Sequence, residues 1–257
     1  MSRPPDSGPS VTGFDFDRVS ADDYEGLRPD YSPEAVEWLI EVAGLSSGSP
    51  VLDLGAGTGK LTRHLVARGL DAVAVEPSPR MRARLADEVP GARVLDGTAE
   101  SIPLLDSSVD CVTVAHAFHH FRADAALPEI HRVLRRGGSL ALFWNVYAAG
   151  GAIKAELDRI IDRHIDPESA VWAAFRGWPK AFESTQLFSS AGRRSFPHTH
   201  ALPSEHLDAL MATSSDVASL QADRRDALLQ EIRAMACRLP LDLEVPAETR
   251  VNLYIRN

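Results

Sequence analysis

Between Val51 and Trp144, short apolar runs alternate with amphipathic segments, and this alternation restricts the chain to few architectures. The runs are Val51–Leu54, Ala72–Val75, Arg93–Leu95, Val109–Val114 and Ser139–Trp144. They are too short for helices and nearly continuous in apolar character, which suits strands buried on both faces. Lys60–Arg68, Pro79–Glu88 and Asp124–Arg135 lie between them, with Gly69 and Gly137-Gly138 as stops. In the last segment Leu127, Ile130 and Leu134 recur at helical spacing. Strands separated by helices make βαβ units, so the expected fold is a doubly wound, mostly parallel α/β sheet.

The flanks extend this plan. Residues 1–12, rich in Pro, Ser and Gly, are expected to form a flexible leader. Ser32 as N-cap, Pro33 in the first turn and the stripe Val36, Leu39, Ile40, Ala43 predict a helix ended by Gly44. Beyond Trp144 the alternation breaks. Ile153, Leu157, Ile160 and Ile161 predict an amphipathic helix, and Trp172, Phe175, Trp178 and Phe182 follow. Helices are expected over 202–213 and 222–239, and strands over 194–202 and 249–255. The expectation is a single domain over 13–257. It has a core at 32–145, an α-helical cap inserted after strand 5 at about 146–190, and C-terminal helices and final strands at 191–257. The sheet then has seven strands.

Composition removes several classes of function. The 257 residues carry 27 Lys and Arg against 36 acids, and the net charge of −9 argues against nucleic acid as a partner. Two cysteines, Cys111 and Cys237, show no metal-ligand spacing. No apolar run approaches the ~18 residues of a bilayer span, and the N-terminus lacks a signal-peptide core. A reduced, cytoplasmic protein, monomer or homodimer, with no membrane partner, is the expectation.

The sharpest local motif is VLDLGAGTGKLTRHL at 51–65. A strand ends in Asp53-Leu54, the glycines turn the backbone, and a helix opens at Lys60. Its free N–H groups favour a ligand with a carboxylate or phosphate end. The dinucleotide fingerprint G-x-G-x-x-G requires a third glycine at Lys60, which disfavours an NAD-dependent oxidoreductase without excluding it. Glu76 ends the second strand 19 residues after Gly57, where an acid can accept both hydroxyls of a ribose. LDGTAESIPL at 95–104 and VDCVTVAHAFHHF at 109–121 follow the third strand and contain the fourth.

In order and spacing these motifs resemble the class I S-adenosylmethionine (SAM)-dependent methyltransferases over 51–145. The segments YEGLRPDYSPEAVEWL and LPLDLEVPAETRVNLYIR further resemble a small-molecule branch that includes trans-aconitate-methyltransferase-like enzymes. The resemblance implies a Rossmann-like fold, SAM as cofactor and methyl transfer to a small-molecule acceptor. It also implies roles for individual residues. Asp53 would organise the amino-acid end of SAM, beside Gly55, Ala56, Gly57, Thr58 and Gly59. Glu76 would hold the ribose, with Pro77 and Met81 walling the adenine. Thr98, Ala99 and Glu100 fall at the adenine edge, and Thr98 stands where the family commonly has aspartate. Ala115 and His116 would lie by the transferable methyl. Tyr24 and Arg28 would close over the cofactor, Arg28 as a two-bond partner for its carboxylate.

His116, His119 and His120 form the densest titratable cluster, just beyond a strand end where ligands collect in such sheets. His119 or His120 is a candidate base for a hydroxyl or phenol acceptor, with turnover rising through the ordinary histidine range. Alternatively the pair caps a helix or orients the acceptor. A carboxylate acceptor needs no base and would call on Arg28, Arg122 or Arg176. No metal site is expected. His198 and His200 share one strand face and read as solvated, as do Arg193 and Arg194, and Cys111 reads as a buried apolar residue. The four aromatics at 172–182 line an acceptor pocket or form the cap's own core. A SAM-binding protein without chemistry also remains open.

Overall fold

The structure, a computed structural model, describes residues 19–147, 151–166 and 168–257, without the side chains of 170–172. The leader at 1–12 and the side chain of Trp172 lie outside the described residues. One seven-stranded sheet organises the chain: β1 (Pro50–Leu54), β2 (Asp71–Val75), β3 (Arg93–Leu95), β4 (Val109–Ala115), β5 (Leu134–Tyr147), β6 (Phe188–Pro203) and β7 (Asp242–Arg256). Their spatial order is β3-β2-β1-β4-β5-β7-β6. The first five are parallel, and β7 runs antiparallel to both β5 and β6. The order reverses between β1 and β4, which places a ligand-binding crevice beyond their C-terminal ends.

Eleven helices surround the sheet among the described residues. On one face lie α2 (Pro33–Val42) and α3 (Lys60–Ala67), whose Leu39, Leu61 and Leu65 pack with Val51, Cys111 and Phe143. On the other lies α5 (Ala123–Val133), with Ala126, Leu127 and Ile130 against Leu52, Val112 and Leu140. Ile130 is fully buried, and truncating it to Ala is expected to cost about 2–5 kcal/mol. The remaining helices are α1 (Ala21–Leu27), α4 (Pro79–Glu88), α6 (Ala152–His164), α7 (Ala170–Gly177), α8 (Pro179–Ser184), α9 (Leu207–Ala212), α10 (Ser215–Ala218) and α11 (Ala222–Ala236). A separate apolar cluster joins α6, α9 and α11 through Ile160, Leu210, Leu228 and Ile232. Helices α7 and α8 instead rest on the sheet core, where Phe182 stacks on Tyr254 and Trp178 on Trp144.

Several boundaries differ from the sequence reading. Leu134 and Arg135 open β5 rather than closing α5. Leu134 keeps helical spacing with Ile130, but it is buried by pairing with Val109. The segment 202–213 begins as the end of β6, turns at Ser204–His206, and is helical only in α9. Strands β6 and β7 are also longer than expected. Most of β6 from Ser189 to Ser195 is exposed, so its apolar signal is weak there.

Candidate active site

The glycine turn after β1 is built by positive φ at Gly55 (+68°), Gly57 (+58°) and Gly59 (+91°), a region that L side chains resist. The three face different surroundings. A Cβ on Gly59 would press on Leu85 and Val89 of α4, and one on Gly55 on Ala117, at 2.8 Å. At Gly57 a Cβ would have Tyr24 alone within contact distance, at 3.9 Å. Gly57 is therefore the point at which the turn meets the space under α1.

Asp53 is fully buried beneath this turn. Its carboxylate accepts from Thr62 Oγ1 at 2.6 Å and Thr113 Oγ1 at 2.9 Å, the latter across the β1–β4 register. Burial raises its pKa to about 6, against the pull of those two hydroxyls. Glu76, 5% exposed, accepts from the Gly57 and Ser78 amides, each at 2.9 Å, and burial raises it to about 7. Met81 is buried with Val19 and Ala218 and packs against Tyr24, while Pro77 is exposed and its carbonyl accepts from Arg82. Thr98 Oγ1 is buried and has no partner among the described residues. Ala99 belongs to the sheet core, and Glu100 Oε1 accepts from the Arg122 amide at 2.8 Å.

Two cavities meet at the switch point. The first is lined by Tyr24, Arg28, Gly55, Ala56, Gly57, Thr58, Ala115 and His116, together with Tyr31, Lys60, Asn145 and Tyr147. The second, about 340 Å³, shares Tyr24, Arg28, His116, Asn145 and Tyr147 and adds His119, His120, Phe175, Lys154 and Asp216 among its walls. That volume suits a small-molecule site. Arg28 faces both cavities. Its Nε donates to Thr213 Oγ1 at 2.8 Å, and its remaining N–H groups have no hydrogen-bond partner among the described residues.

The histidines differ in setting. His116 sits at φ +52°, strained for a non-glycine residue, and its Nε2 lies 2.6 Å from the Asn145 amide nitrogen. The same nitrogen lies 2.9 Å from the Asn145 carbonyl oxygen, so the ring can accept from the amide or donate to the carbonyl, and either tautomer finds a partner there. Burial lowers His116 to about 3 and His120 to about 4, and His119 well below the ordinary histidine value. His119 and His120 lie on a single 3₁₀ turn with ring centroids 3.9 Å apart. His119 Nδ1 is buried without a hydrogen-bond partner among the described residues.

Several residues at the site went unread in the sequence. Glu25 of α1 accepts from Thr58 Oγ1 at 2.5 Å and Arg63 at 2.7 Å, and its carbonyl accepts from Lys60 Nζ. Asn145 donates through its side chain to the Pro29 and Asp30 carbonyls, holding the chain after α1 against β5. Tyr147 hydrogen-bonds His200 Nδ1 at 3.0 Å, so His200 is 9% exposed rather than solvated. Only a β5 extended past Trp144 would have pointed to Asn145 and Tyr147. Phe175 walls the larger cavity, and it, Trp178 and Phe182 all pack against the sheet core rather than forming a core of the cap's own. Arg193 and Arg194 are exposed, Cys111 is buried, and no cluster of three metal-ligating side chains occurs among the described residues.

A 3-2-1-4-5-7-6 sheet with one antiparallel strand, a glycine turn and an acid ending β2 defines a Rossmann-like methyltransferase fold. A family model described as a methyltransferase domain matches residues 52–142. A methyltransferase-like protein of Schizosaccharomyces pombe is 31% identical over 221 residues, 85% of this chain and 84% of its own. An uncharacterized methyltransferase of Mycobacterium tuberculosis is 51% identical over 144 residues, 56% of this chain; the match spans 58% of the relative's length. The solved structure of a candidate type II methyltransferase from Anaeromyxobacter dehalogenans shares the fold. Its TM-score is 0.66 at 21% identity, over 90% of this chain and 98% of that one. The chain belongs to the class I SAM-dependent methyltransferase family.

Proposed function

We propose that this protein transfers the methyl group of SAM to a small-molecule acceptor, at a hydroxyl, phenol or carboxylate oxygen, releasing S-adenosylhomocysteine. The observation that carries the reading is the meeting of two cavities at the sheet's switch point, with Arg28, His116 and Tyr147 common to both. One cavity suits a cofactor's amino-acid end and the other an acceptor.

The residues fit the cofactor. Arg28 has guanidinium N–H groups without a hydrogen-bond partner among the described residues, available for its carboxylate, and the turn over Asp53 leaves room at Gly57. Glu76 is already aimed by two backbone amides, so its remaining lone pairs can receive ribose hydroxyls. Met81, Pro77, Ala99 and Glu100 would flank the adenine, and the orphaned Thr98 hydroxyl would bond its edge. When bound, SAM supplies an electrophilic methyl whose bond electrons leave with sulfur. The chain's part is orientation: holding two reactants in near-attack geometry is worth about 7–11 kcal/mol. His116, common to both cavities, and the adjacent Ala115 would border the methyl, and His119 or His120 would receive a hydroxyl proton.

Calorimetry tests this directly. S-adenosylhomocysteine is expected to bind at about micromolar Kd or tighter, roughly −8 kcal/mol. Supplying labelled SAM and fractions of a metabolite extract should yield a labelled small molecule. Absence of cofactor binding would refute the reading.

A further inference from the structure

Charge in the larger cavity narrows the acceptor, on the strength of the methyl-transfer reading above. Its charged walls are Arg28, Lys154 and Asp216. Lys154 Nζ lies 2.6 Å from Asp158 Oδ2, so its charge is already matched. Arg28 is taken by the cofactor carboxylate. The Asp216 carboxylate meets only the hydroxyl of neighbouring Ser215, at 3.4 Å, and no cation lies within ion-pair distance among the described residues. The three histidines stay neutral through burial and supply no positive charge. A carboxylate here would be set beside the unpaired Asp216 carboxylate, a like-charge juxtaposition that disfavours it. An ammonium would find Asp216.

A second observation fixes the other end. His119, 8% exposed, walls the same cavity with Nδ1 unpartnered, and a buried polar atom in that state calls for a ligand or water. Phe175, Tyr24, Val19 and Val146 supply aromatic and apolar walls around it.

We propose that the acceptor is an amine-bearing phenol, its hydroxyl bonded to His119 Nδ1 and its ammonium held by Asp216. As the oxygen–methyl bond forms and the carbon–sulfur pair withdraws to sulfur, the hydroxyl proton passes to His119. The resulting imidazolium returns the proton to solvent. Asp216 thereby determines specificity, and carboxylate-rich acceptors are selected against.

The test uses three probes with one ring and one hydroxyl: tyramine, p-cresol and 4-hydroxyphenylacetate. Their affinities are measured by calorimetry on protein saturated with S-adenosylhomocysteine. Tyramine is expected to bind at least about tenfold more tightly than 4-hydroxyphenylacetate, with p-cresol between them. In Asp216→Asn and Asp216→Ser that ratio should fall to within about threefold. With SAM, mass spectrometry should place the new methyl on the phenolic oxygen of tyramine. Tighter binding of 4-hydroxyphenylacetate, a ratio unchanged in both variants, methylation at nitrogen, or no binding of any probe overturns the proposal. In each case bound S-adenosylhomocysteine leaves the methyl-transfer reading intact. Failure of S-adenosylhomocysteine itself to bind overturns both.

Discussion

Glu76 Oε2 accepts a 2.9 Å hydrogen bond from the Gly57 amide, fastening the acid at the end of β2 to the turn after β1. Its other oxygen accepts from Ser78, so the carboxylate is oriented before any ligand arrives. Orientation in advance reduces what binding must spend on ordering. Burial opposes the two amides and lifts the acid to about 7.

Cofactor affinity should therefore depend on pH. Only ionised Glu76 accepts both ribose hydroxyls, so binding favours the deprotonated acid. Affinity for S-adenosylhomocysteine should rise with pH through about 7 and level off above it. Below that it should fall by up to about tenfold per pH unit. Glu76→Gln should bind more weakly and lose the dependence, as calorimetry from pH 6 to 8.5 would show. A flat wild-type profile would count against the ribose assignment.

Glu25 makes a second testable link, between α1 and the cofactor turn. Its carboxylate joins Thr58 and Arg63, with Lys60 at 3.6 Å, and its side chain is 10% exposed. Glu25→Ala leaves the buried Lys60 ammonium short of its counter-charge, a change that costs roughly 3–5 kcal/mol at buried pairs. Helix α1 has no buried residues of its own, so it should loosen before the sheet melts. Faster amide exchange over 21–28, with unchanged exchange in β1 and β4, is the expected result. Unaltered protection of α1 would show that Tyr24 and Arg28 are held by other contacts.

His116 offers a way to isolate strain. Its left-handed backbone costs a non-glycine residue about 1–2 kcal/mol. His116→Ala and His116→Gly both lose the Asn145 bond and the ring contact with Trp144. Only the glycine variant also loses the strain, so it should be the more stable of the two by about 1 kcal/mol in chemical denaturation. Equal stabilities would mean that the backbone relaxes once the ring is gone.

The sheet was legible in the sequence because β1, β2 and β4 are largely buried and read as nearly continuous apolar runs. The glycine turn and Glu76 were legible for a similar reason: each motif is local. Glu25, Asn145 and Tyr147 were not, because they act through partners up to 116 residues away, as Asn145 does on Pro29. Asp216 carries no sequence signal at all. It lies in a four-residue helix whose relation to His119 is set by the packing of α7 and α10.

The histidine turn gives the last prediction. Sequence alone implied turnover that rises through the ordinary histidine range. Burial instead holds His120 near 4 and His119 well below its usual value, so both are neutral across pH 5.5–8.5. A depressed histidine contributes stability above its unfolded pKa of about 6.5, and loses it as pH falls toward the folded value. With His116 there are three such histidines against two buried acids, Asp53 and Glu76, whose raised pKa values act in the opposite direction. The protein should therefore lose stability below about pH 6.5, while turnover at saturating cofactor stays level down to pH 5.5. So weak a base still suffices for a hydroxyl acceptor, whose oxygen becomes strongly acidic as the methyl bond forms. His119→Ala should lose about 10²–10⁴-fold in turnover at every pH while still binding S-adenosylhomocysteine. His120→Ala should lose less, because His119 holds the unpartnered nitrogen. The measurement is kcat for both variants from pH 5.5 to 8.5, with an acceptor verified by product mass. A wild-type rise centred near 6.5 would show a solvated imidazole at work, and near-normal turnover in both variants would remove the histidine from proton transfer.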